Sequence, residues 1–143
     1  MLAWRLCRAP YADLSGEGAR LYGGRWNSPG HAMVYAAADA ALAVLEVRVH
    51  LDLAPDLIPH DYVLAAIDLT DLAIETAAEL PNEPQTFGDQ WVEQQRTPVQ
   101  RVPSFIVPEA WNLLLNPAHP LAAKAKMASI RKFGFDRRLW LPL

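Results

Sequence analysis

Residues 33–51 read MVYAAADAALAVLEVRVHL, and this stretch decides most of the fold. Residues 33–37 are apolar and of strand length, which predicts a buried strand. Asp39 follows, and its side-chain oxygen can cap a helix over residues 40–51. The core therefore begins with a strand that runs directly into a helix.

The rest of the chain is divided by prolines, twelve in all, so its other elements are short. Residues 87–96 and 120–127 are predicted to be helices. Strands are predicted at residues 3–7, 19–22, 62–69, 72–76, 101–107, 129–135 and 138–141. The order lacks the regular alternation of a doubly wound sheet, which favours a small mixed α+β domain. A length of 143 residues predicts that this is one domain over 1–143.

Composition excludes several classes of protein. The chain is 52% hydrophobic, with 13 basic against 16 acidic residues and a net charge of -3, so we expect a folded protein that does not bind nucleic acid directly. The single cysteine, Cys7, cannot form an internal disulfide, which fits a reducing compartment. The most apolar stretch, residues 32–47, is interrupted by Asp39 and Glu46. We therefore predict a soluble cytoplasmic protein without a membrane segment.

Common catalytic and binding motifs are missing. Gly16 and Gly18 begin like a dinucleotide-binding fingerprint, but the third position is Leu21, and no glycine-rich phosphate loop occurs elsewhere. The four histidines show no metal-ligand spacing, so no metal is expected. No serine lies in a nucleophile-elbow sequence, which argues against a serine hydrolase.

Residues 22–27, YGGRWN, form the least ordinary segment of the chain. Two glycines permit a tight turn and a close approach to a ligand, and Arg25 carries a planar fork that suits phosphate or carboxylate. The same residues also fit a plain surface turn, with Arg25 in a salt bridge and Trp26 in the core. The segment alone does not decide between the two interpretations.

Glu46 lies within the predicted helix, and two projections of that helix are compatible with the spacing. In one, Glu46 borders the apolar stripe that contains Leu42 and Leu45; in the other, it shares a polar stripe with Asp39 and His50. Because the helix is apolar nearly everywhere else, most of its surface is expected to be covered. A cleft is therefore the favoured environment for Glu46.

Four other polar residues have ordinary structural interpretations. Tyr35 fits a core tyrosine with a hydrogen-bonded hydroxyl, and Ser104 fits a buried serine that bonds to nearby backbone. Asn112 and Asn116 fit turn positions. None of these residues indicates chemistry by itself.

The residues taken together resemble a known family, the RES-domain toxins of bacterial toxin–antitoxin pairs. The arginine, glutamate and serine that name this family look like Arg25, Glu46 and Ser104. The matching pieces follow the family's order along nearly the whole chain: Trp4-Arg5, Gly23-Gly24-Arg25-Trp26-Asn27, Val34-Tyr35-Ala36, Leu45-Glu46-Val47, Val102-Pro103-Ser104, Asn116-Pro117, His119-Pro120 and Phe135-Asp136-Arg137-Arg138-Leu139.

This resemblance implies a fold similar to the ADP-ribosyltransferases, which hold NAD in a cleft without a Rossmann motif. It implies that NAD is the substrate and is cleaved at the nicotinamide–ribose bond, so that cellular NAD is depleted and growth stops. Transfer of ADP-ribose to a protein is the alternative, and a non-catalytic module that binds NAD or an antitoxin is another. The implied partner is an antitoxin with an Xre-type helix-turn-helix domain, and a homodimer within that complex is possible.

Residues 124–138 hold six of the 13 basic residues, so they form either a solvated face or a partner contact.

The resemblance also implies roles for single residues. Glu46, Arg25 and Tyr35 are the expected catalytic residues, with Glu46 stabilising positive charge on the ribose and binding its 2′-hydroxyl. Arg25 and Arg5 are expected to neutralise the pyrophosphate, and the Tyr35 ring to stack on nicotinamide. Polar edges of NAD are assigned to Ser104 and Asn116.

Overall fold

The computed structural model describes residues 1–140, which fold into a seven-stranded sheet and three α-helices. The strands are β1 (Leu2–Arg8), β2 (Val34–Ala37), β3 (Tyr62–Asp68), β4 (Ile74–Thr76), β5 (Val99–Pro103), β6 (Trp111–Leu115) and β7 (Lys126–Lys132). The helices are α1 (Glu17–Tyr22), α2 (Ala40–His50) and α3 (Pro84–Gln94). None of the helices within residues 1–140 is long and apolar enough to cross a membrane. The predicted mixed α+β architecture is confirmed.

The sheet has the order β4-β5-β6-β2-β1-β3-β7 and is split between β1 and β2. One residue pair, Trp4 with Ala37, joins these two strands, whereas seven pairs join β1 to β3 and four join β2 to β6. Elsewhere between these two strands, the Tyr35 carbonyl oxygen accepts a hydrogen bond of 3.1 Å from the side chain of Arg5, through Nη1. The sheet therefore consists of a four-stranded and a three-stranded part with an opening between them.

Helix α2 forms as the sequence predicts. Asp39 Oδ1 accepts a hydrogen bond of 2.7 Å from the Leu42 amide, which confirms the predicted cap. Leu42 and Ala43 are buried in one cluster with Leu6 of β1 and Leu64 of β3. Ala37 of β2 belongs to the same cluster, so α2 packs against strands on both sides of the opening, and chiefly against β1.

The predicted strand over residues 19–22 is wrong, because these residues belong to α1. Glycines with positive φ flank this helix, Gly16 at 66° and Gly23 at 74°. The Gly23 amide bonds to the Ala19 carbonyl at 2.8 Å and ends the helix. The glycines that favoured a loop in the sequence therefore lie at the two ends of a helix of 6 residues.

The C-terminal predictions also need correction. Residues predicted as a helix over 120–127 form one 3-10 turn, Ala122–Lys124, and then enter β7. The predicted strand over 138–141 is in fact the 3-10 turn Arg137–Leu139, and residue 141 lies outside the described residues. Pairing with β3 sets the position of β7, and this long-range contact leaves no mark on local sequence.

The structure also contains a strand that the sequence did not predict, β6. Asn112 lies inside it, paired with Ala37 and Val102, and is not a turn residue. Neighbouring β5 begins and ends earlier than the predicted residues 101–107, so Ser104 lies just past its end. The remaining strands and α3 form near their predicted positions.

Helix α3 packs closely against the segment that follows α1. Trp91 is fully buried and shares a core cluster with Trp26. A β-carbon placed on Gly88 would overlap the Trp26 carbonyl oxygen, so only glycine fits this contact. The contact holds the backbone of residues 22–27 against α3.

Replacing Gly88 with alanine is therefore expected to lower the free energy of unfolding by about 3 kcal/mol or more, because a rigid backbone atom blocks the added methyl. Urea denaturation measures the change. Gly18→Ala is the matched control, because the site is helical and no atom of the described residues lies within 4 Å of the added β-carbon. Equal stability of the Gly88→Ala and Gly18→Ala proteins would contradict this account.

Candidate active site

An open cleft of about 1920 Å³ lies at the opening between β1 and β2 and is lined by residues of both strands, of α1 and of α2. Pockets for drug-sized molecules typically measure about 300–1,000 Å³, so the cleft has room for a ligand as large as a dinucleotide. Among the residues predicted from sequence, it brings together Arg5, Arg25, Tyr35 and Glu46.

Glu46 enters the cleft from α2, and one of its carboxylate oxygens is held from two sides. Oε1 accepts a hydrogen bond of 2.7 Å from Ser104 Oγ and one of 2.8 Å from Asn112 Nδ2. Oε2 accepts none from the residues that the structure describes. The carboxylate is therefore fixed through one oxygen and offers the other to a ligand.

Ser104 lies behind Glu46 and does not line the cleft. It is fully buried, and its Oγ accepts hydrogen bonds from the amides of Ile106 at 3.0 Å and Val107 at 3.1 Å. With those acceptor positions filled, the hydroxyl proton is directed at Glu46 Oε1. Ser104 therefore bonds to Glu46 from behind the cleft, and its predicted contact with the ligand stays a prediction.

Tyr35 joins the cleft to the segment YGGRWN. Its hydroxyl donates a hydrogen bond of 2.5 Å to Asn27 Oδ1 and accepts one of 3.0 Å from the Trp26 amide. Burial raises the pKa of Tyr35 well above its ordinary value, so the phenol keeps its proton and remains a donor. Tyr35 therefore holds the turn that carries Arg25.

Asn27 is the buried centre of this turn. Its Nδ2 donates to the carbonyls of Ala19 at 2.8 Å and His31 at 2.9 Å. A β-carbon on Gly24 would lie 2.6 Å from the Tyr35 hydroxyl oxygen, so glycine is required there. The predicted tight turn is present, and the group that Gly24 approaches is Tyr35. The predicted approach of this backbone to a ligand stays a prediction.

A second set of contacts, which the sequence did not predict, binds the residues just after this segment to α3. Ser28 donates to Asp89 through both its amide, at 2.8 Å, and its hydroxyl, at 2.6 Å. His31 Nε2 lies 2.8 Å from Glu93 Oε1. These contacts reach across about sixty residues of sequence and could be found only in three dimensions.

Arg25 and Arg5 both bring positive charge to the cleft. The exposed guanidinium of Arg25 stacks on the Phe105 ring, with Cζ 4.0 Å from the ring centroid. Arg5 donates to the Tyr35 carbonyl, while its Nε is buried and has no hydrogen-bond partner in the part of the chain that the structure describes. Within residues 1–140, no carboxylate lies within salt-bridge distance of either guanidinium. Both charges are available to an anionic ligand.

Asn116 lies apart from these residues. It is fully buried, and its Nδ2 donates to the Val92 carbonyl at 3.3 Å while its Oδ1 accepts from the Ala118 amide at 3.0 Å. Asn116 therefore joins the end of β6 to α3, outside the cleft lining, and its amide bonds to protein atoms. Its predicted contact with the ligand stays a prediction.

Asn112 is the cleft residue that the sequence interpretation missed. It alternates along β6 with Leu113, which is in the core, and so faces the same side as Leu114, another lining residue. A polar side chain within an apolar run was the signal, but it is informative only once the run is known to be a strand. Among residues 1–140, no three His, Cys, Asp or Glu side chains are grouped to hold a metal ion.

The split sheet, the fixed carboxylate and the two arginines define a small mixed α/β domain with a cleft for an anionic ligand. The RES domain family model matches residues 2–138, and the chain belongs to this family. The family resemblance seen in the sequence is confirmed.

Relatives cover most of the chain. It is 44% identical over 141 residues to the "Prs ADP-ribosylating toxin" of Sphingobium sp. (strain YBL2), a match that spans 89% of the chain and 86% of that protein. It is 35% identical over 148 residues to "Toxin Res" of Pseudomonas putida, which spans 98% of the chain and all of that protein. A shorter match, 36% over 91 residues and about half of each chain, is to the "NAD(+) phosphorylase MbcT" of Mycobacterium tuberculosis.

A solved structure has the same fold. It is the MbcT–MbcA toxin–antitoxin complex of M. tuberculosis, and the matching chain has a TM-score of 0.74 at 22% identity. The match covers 93% of this chain and 84% of that one. The predicted fold class is confirmed by this likeness.

Replacing Tyr35 with phenylalanine should destabilise the segment that carries Arg25. The change leaves the Trp26 amide and Asn27 Oδ1 without their partner, which is expected to lower the free energy of unfolding by about 2 kcal/mol. Urea denaturation measures this, with Tyr22→Phe as the control because Tyr22 is 83% exposed. An unchanged midpoint for Tyr35→Phe would show that the hydroxyl does not hold the turn.

Proposed function

We propose that this chain is the toxin of a toxin–antitoxin pair and that it cleaves NAD between nicotinamide and ribose. The observation that carries the proposal is the Glu46 carboxylate beside an open cleft: it is held through Oε1, while Oε2 has no hydrogen-bond partner among residues 1–140. The names of its relatives support the choice of NAD: one is called an NAD(+) phosphorylase and another an ADP-ribosylating toxin.

The chemistry of this bond suits a lone carboxylate. When the bond between nicotinamide nitrogen and ribose C1′ breaks, its electron pair leaves with nicotinamide and positive charge develops on the sugar. Glycoside-cleaving enzymes stabilise such charge with carboxylates, and Glu46 is assigned this role here. Because nicotinamide leaves as a neutral ring, no strong general acid is needed. With water as acceptor, the products are ADP-ribose, nicotinamide and a proton.

The remaining cleft residues are assigned to binding. Arg25 and Arg5 would receive the pyrophosphate through charge-assisted hydrogen bonds, since neither is neutralised by a carboxylate within residues 1–140. Arg25 is pre-oriented by its stacking on Phe105. The Tyr35 ring lines the cleft and is proposed to stack on nicotinamide, in addition to holding the turn.

The acceptor of the ribosyl group divides the possible outcomes. Water or phosphate as acceptor leads to depletion of NAD and arrest of growth, which is the main proposal. A protein side chain as acceptor makes the chain a mono-ADP-ribosyltransferase, an alternative favoured by the name of the Sphingobium relative.

The proposed partner is an antitoxin with an Xre-type helix-turn-helix domain. The structural likeness to the toxin of the MbcT–MbcA complex supports an antitoxin partner. DNA binding is assigned to the antitoxin, because this chain has a net charge of -3. The proposed setting is the cytoplasm, with residues 1–143 acting as one RES domain, as a homodimer within the complex.

Glu46→Gln keeps the shape of the side chain and removes its charge. We expect nicotinamide release from NAD to fall by about 100-fold, the scale typical of losing one electrostatic stabiliser. The assay uses the purified chain without antitoxin, with and without phosphate, and chromatography quantifies nicotinamide.

The matched control is Glu79→Gln, an exposed glutamate outside the cleft. Wild-type activity in Glu46→Gln would refute the role of Glu46. If the wild type releases no nicotinamide but labels a protein in cell extract from labelled NAD, the transferase alternative holds. Failure of both assays leaves a binding module without catalysis.

Arg25→Ala should weaken NAD binding without unfolding the chain, because Arg25 is exposed and its guanidinium stacks on the Phe105 face. Loss of one charge-assisted hydrogen bond predicts about a tenfold or greater rise in Kd by calorimetry, measured in the Glu46→Gln background so that NAD persists. Arg25→Lys, which keeps the charge but loses the planar fork, should bind with intermediate affinity. Unchanged affinity in a folded Arg25→Ala protein would remove Arg25 from the site.

A further inference from the structure

Asn112 has no role in any sequence motif, yet it is placed beside the most important carboxylate of the cleft. Its Nδ2 donates a hydrogen bond of 2.8 Å to Glu46 Oε1 across 66 positions of sequence. It lies in β6, between β2 and β5, so its backbone is held on both sides by ladder pairing. A donor on a central strand is a rigid support for a side chain that comes from a helix.

Asn112 and Ser104 donate hydrogen bonds to the same carboxylate oxygen from two different positions in the chain. Ser104 follows β5, Asn112 lies within β6, and both donate to Oε1, at 2.7 Å and 2.8 Å. A carboxylate held by one donor can rotate about that bond, whereas two donors on separate backbone segments fix its orientation. With both bonds made to Oε1, Oε2 is the carboxylate oxygen without a hydrogen-bond partner in the described part of the chain.

The two donors differ in their access to the ligand. Ser104 is fully buried, while Asn112 is partly exposed and lines the cleft. Asn112 is therefore the support whose loss would let water or a ligand group reach Oε1. Its own Oδ1 has no hydrogen-bond partner within residues 1–140 and is not buried.

From these contacts we infer that Asn112 is a positioning residue, which turns the Glu46 carboxylate so that Oε2 meets the ribose at the reacting carbon. This inference rests on the proposed function, because it assigns a purpose to the orientation of Glu46. It predicts that changes at Asn112 affect the rate of bond cleavage more than the binding of NAD.

Two variants of Asn112 test this in the nicotinamide release assay. Asn112→Leu is of similar size and removes the donor, so we expect kcat to fall by about tenfold or more while KM for NAD stays within about threefold. Asn112→Asp puts a second carboxylate against Glu46 and should lose activity at neutral pH. When that added carboxyl is protonated, it regains a donor, so the activity of Asn112→Asp should rise from about pH 8 to about pH 5.

Controls separate this effect from simpler ones. Asn82→Asp makes the same change at an exposed position outside the cleft and should match the wild type in rate and pH profile. His50, another ionisable residue, also lines the cleft, so the wild-type pH profile is the reference. A purely structural role for Asn112 would not produce recovery on acidification. If Asn112→Leu does not fold, the near-isosteric Asn112→Asp carries the test.

Two results would overturn the inference: a wild-type kcat in a folded Asn112→Leu protein, or an Asn112→Asp pH profile that follows the wild type. If the wild type itself releases no nicotinamide, the proposed function fails separately. The placement is then read from the ¹³C resonance of the Glu46 side-chain carboxyl, identified by its loss in Glu46→Gln. Asn112→Leu should shift that resonance and Asn82→Asp should not, and an unshifted resonance would refute the support by Asn112.

Discussion

The hydrogen bonds to Glu46 Oε1 are the interaction on which the rest of the site depends. Helix α2 packs chiefly on β1, in the three-stranded part of the sheet, and also contacts β2, while its glutamate bonds to Ser104 and Asn112 on the four-stranded part. The carboxylate therefore links the two parts across the opening that forms the cleft. Partly buried polar links of this kind are costly when broken, since each freed group loses its partner away from bulk water. The same bonds orient a candidate catalytic group and connect the walls of its cleft.

The opening itself follows from how little β1 and β2 share. A single residue pair joins them, so Arg5 can cross the gap with its side chain and bond to the Tyr35 carbonyl. Tyr35 in turn holds the turn that carries Arg25, through the Trp26 amide and the Asn27 side chain. Arg5, Arg25 and Glu46 thus each depend on a neighbour from a different part of the chain. This arrangement fixes charge in place before any ligand arrives, which lowers the reorganisation that binding requires.

Local sequence determined the elements whose signals are short in range. The strand before Asp39, the cap and helix α2 are encoded by adjacent residues, and they formed as predicted. The tight turn at residues 22–27 was likewise indicated by its glycines. Arg25, Tyr35 and Glu46 were selected by their resemblance to a family, and the structure gathers all three in one cleft. No pattern in composition or spacing would have joined them, because they come from a loop, a strand and a helix.

Tertiary structure decided everything that depends on pairing between distant segments. Strand β6 forms because it pairs with β2 and β5, and β7 begins where it pairs with β3. Local residue propensity does not predict pairing between such distant segments. Because of the same pairing, Asn112 lies in the cleft and not in the predicted turn, and Asn116 is buried against α3. A residue's type sets which hydrogen bonds it can make, and this much the sequence alone determined. Which partner it meets is set by strand register, because that places side chains from distant positions within reach of one another.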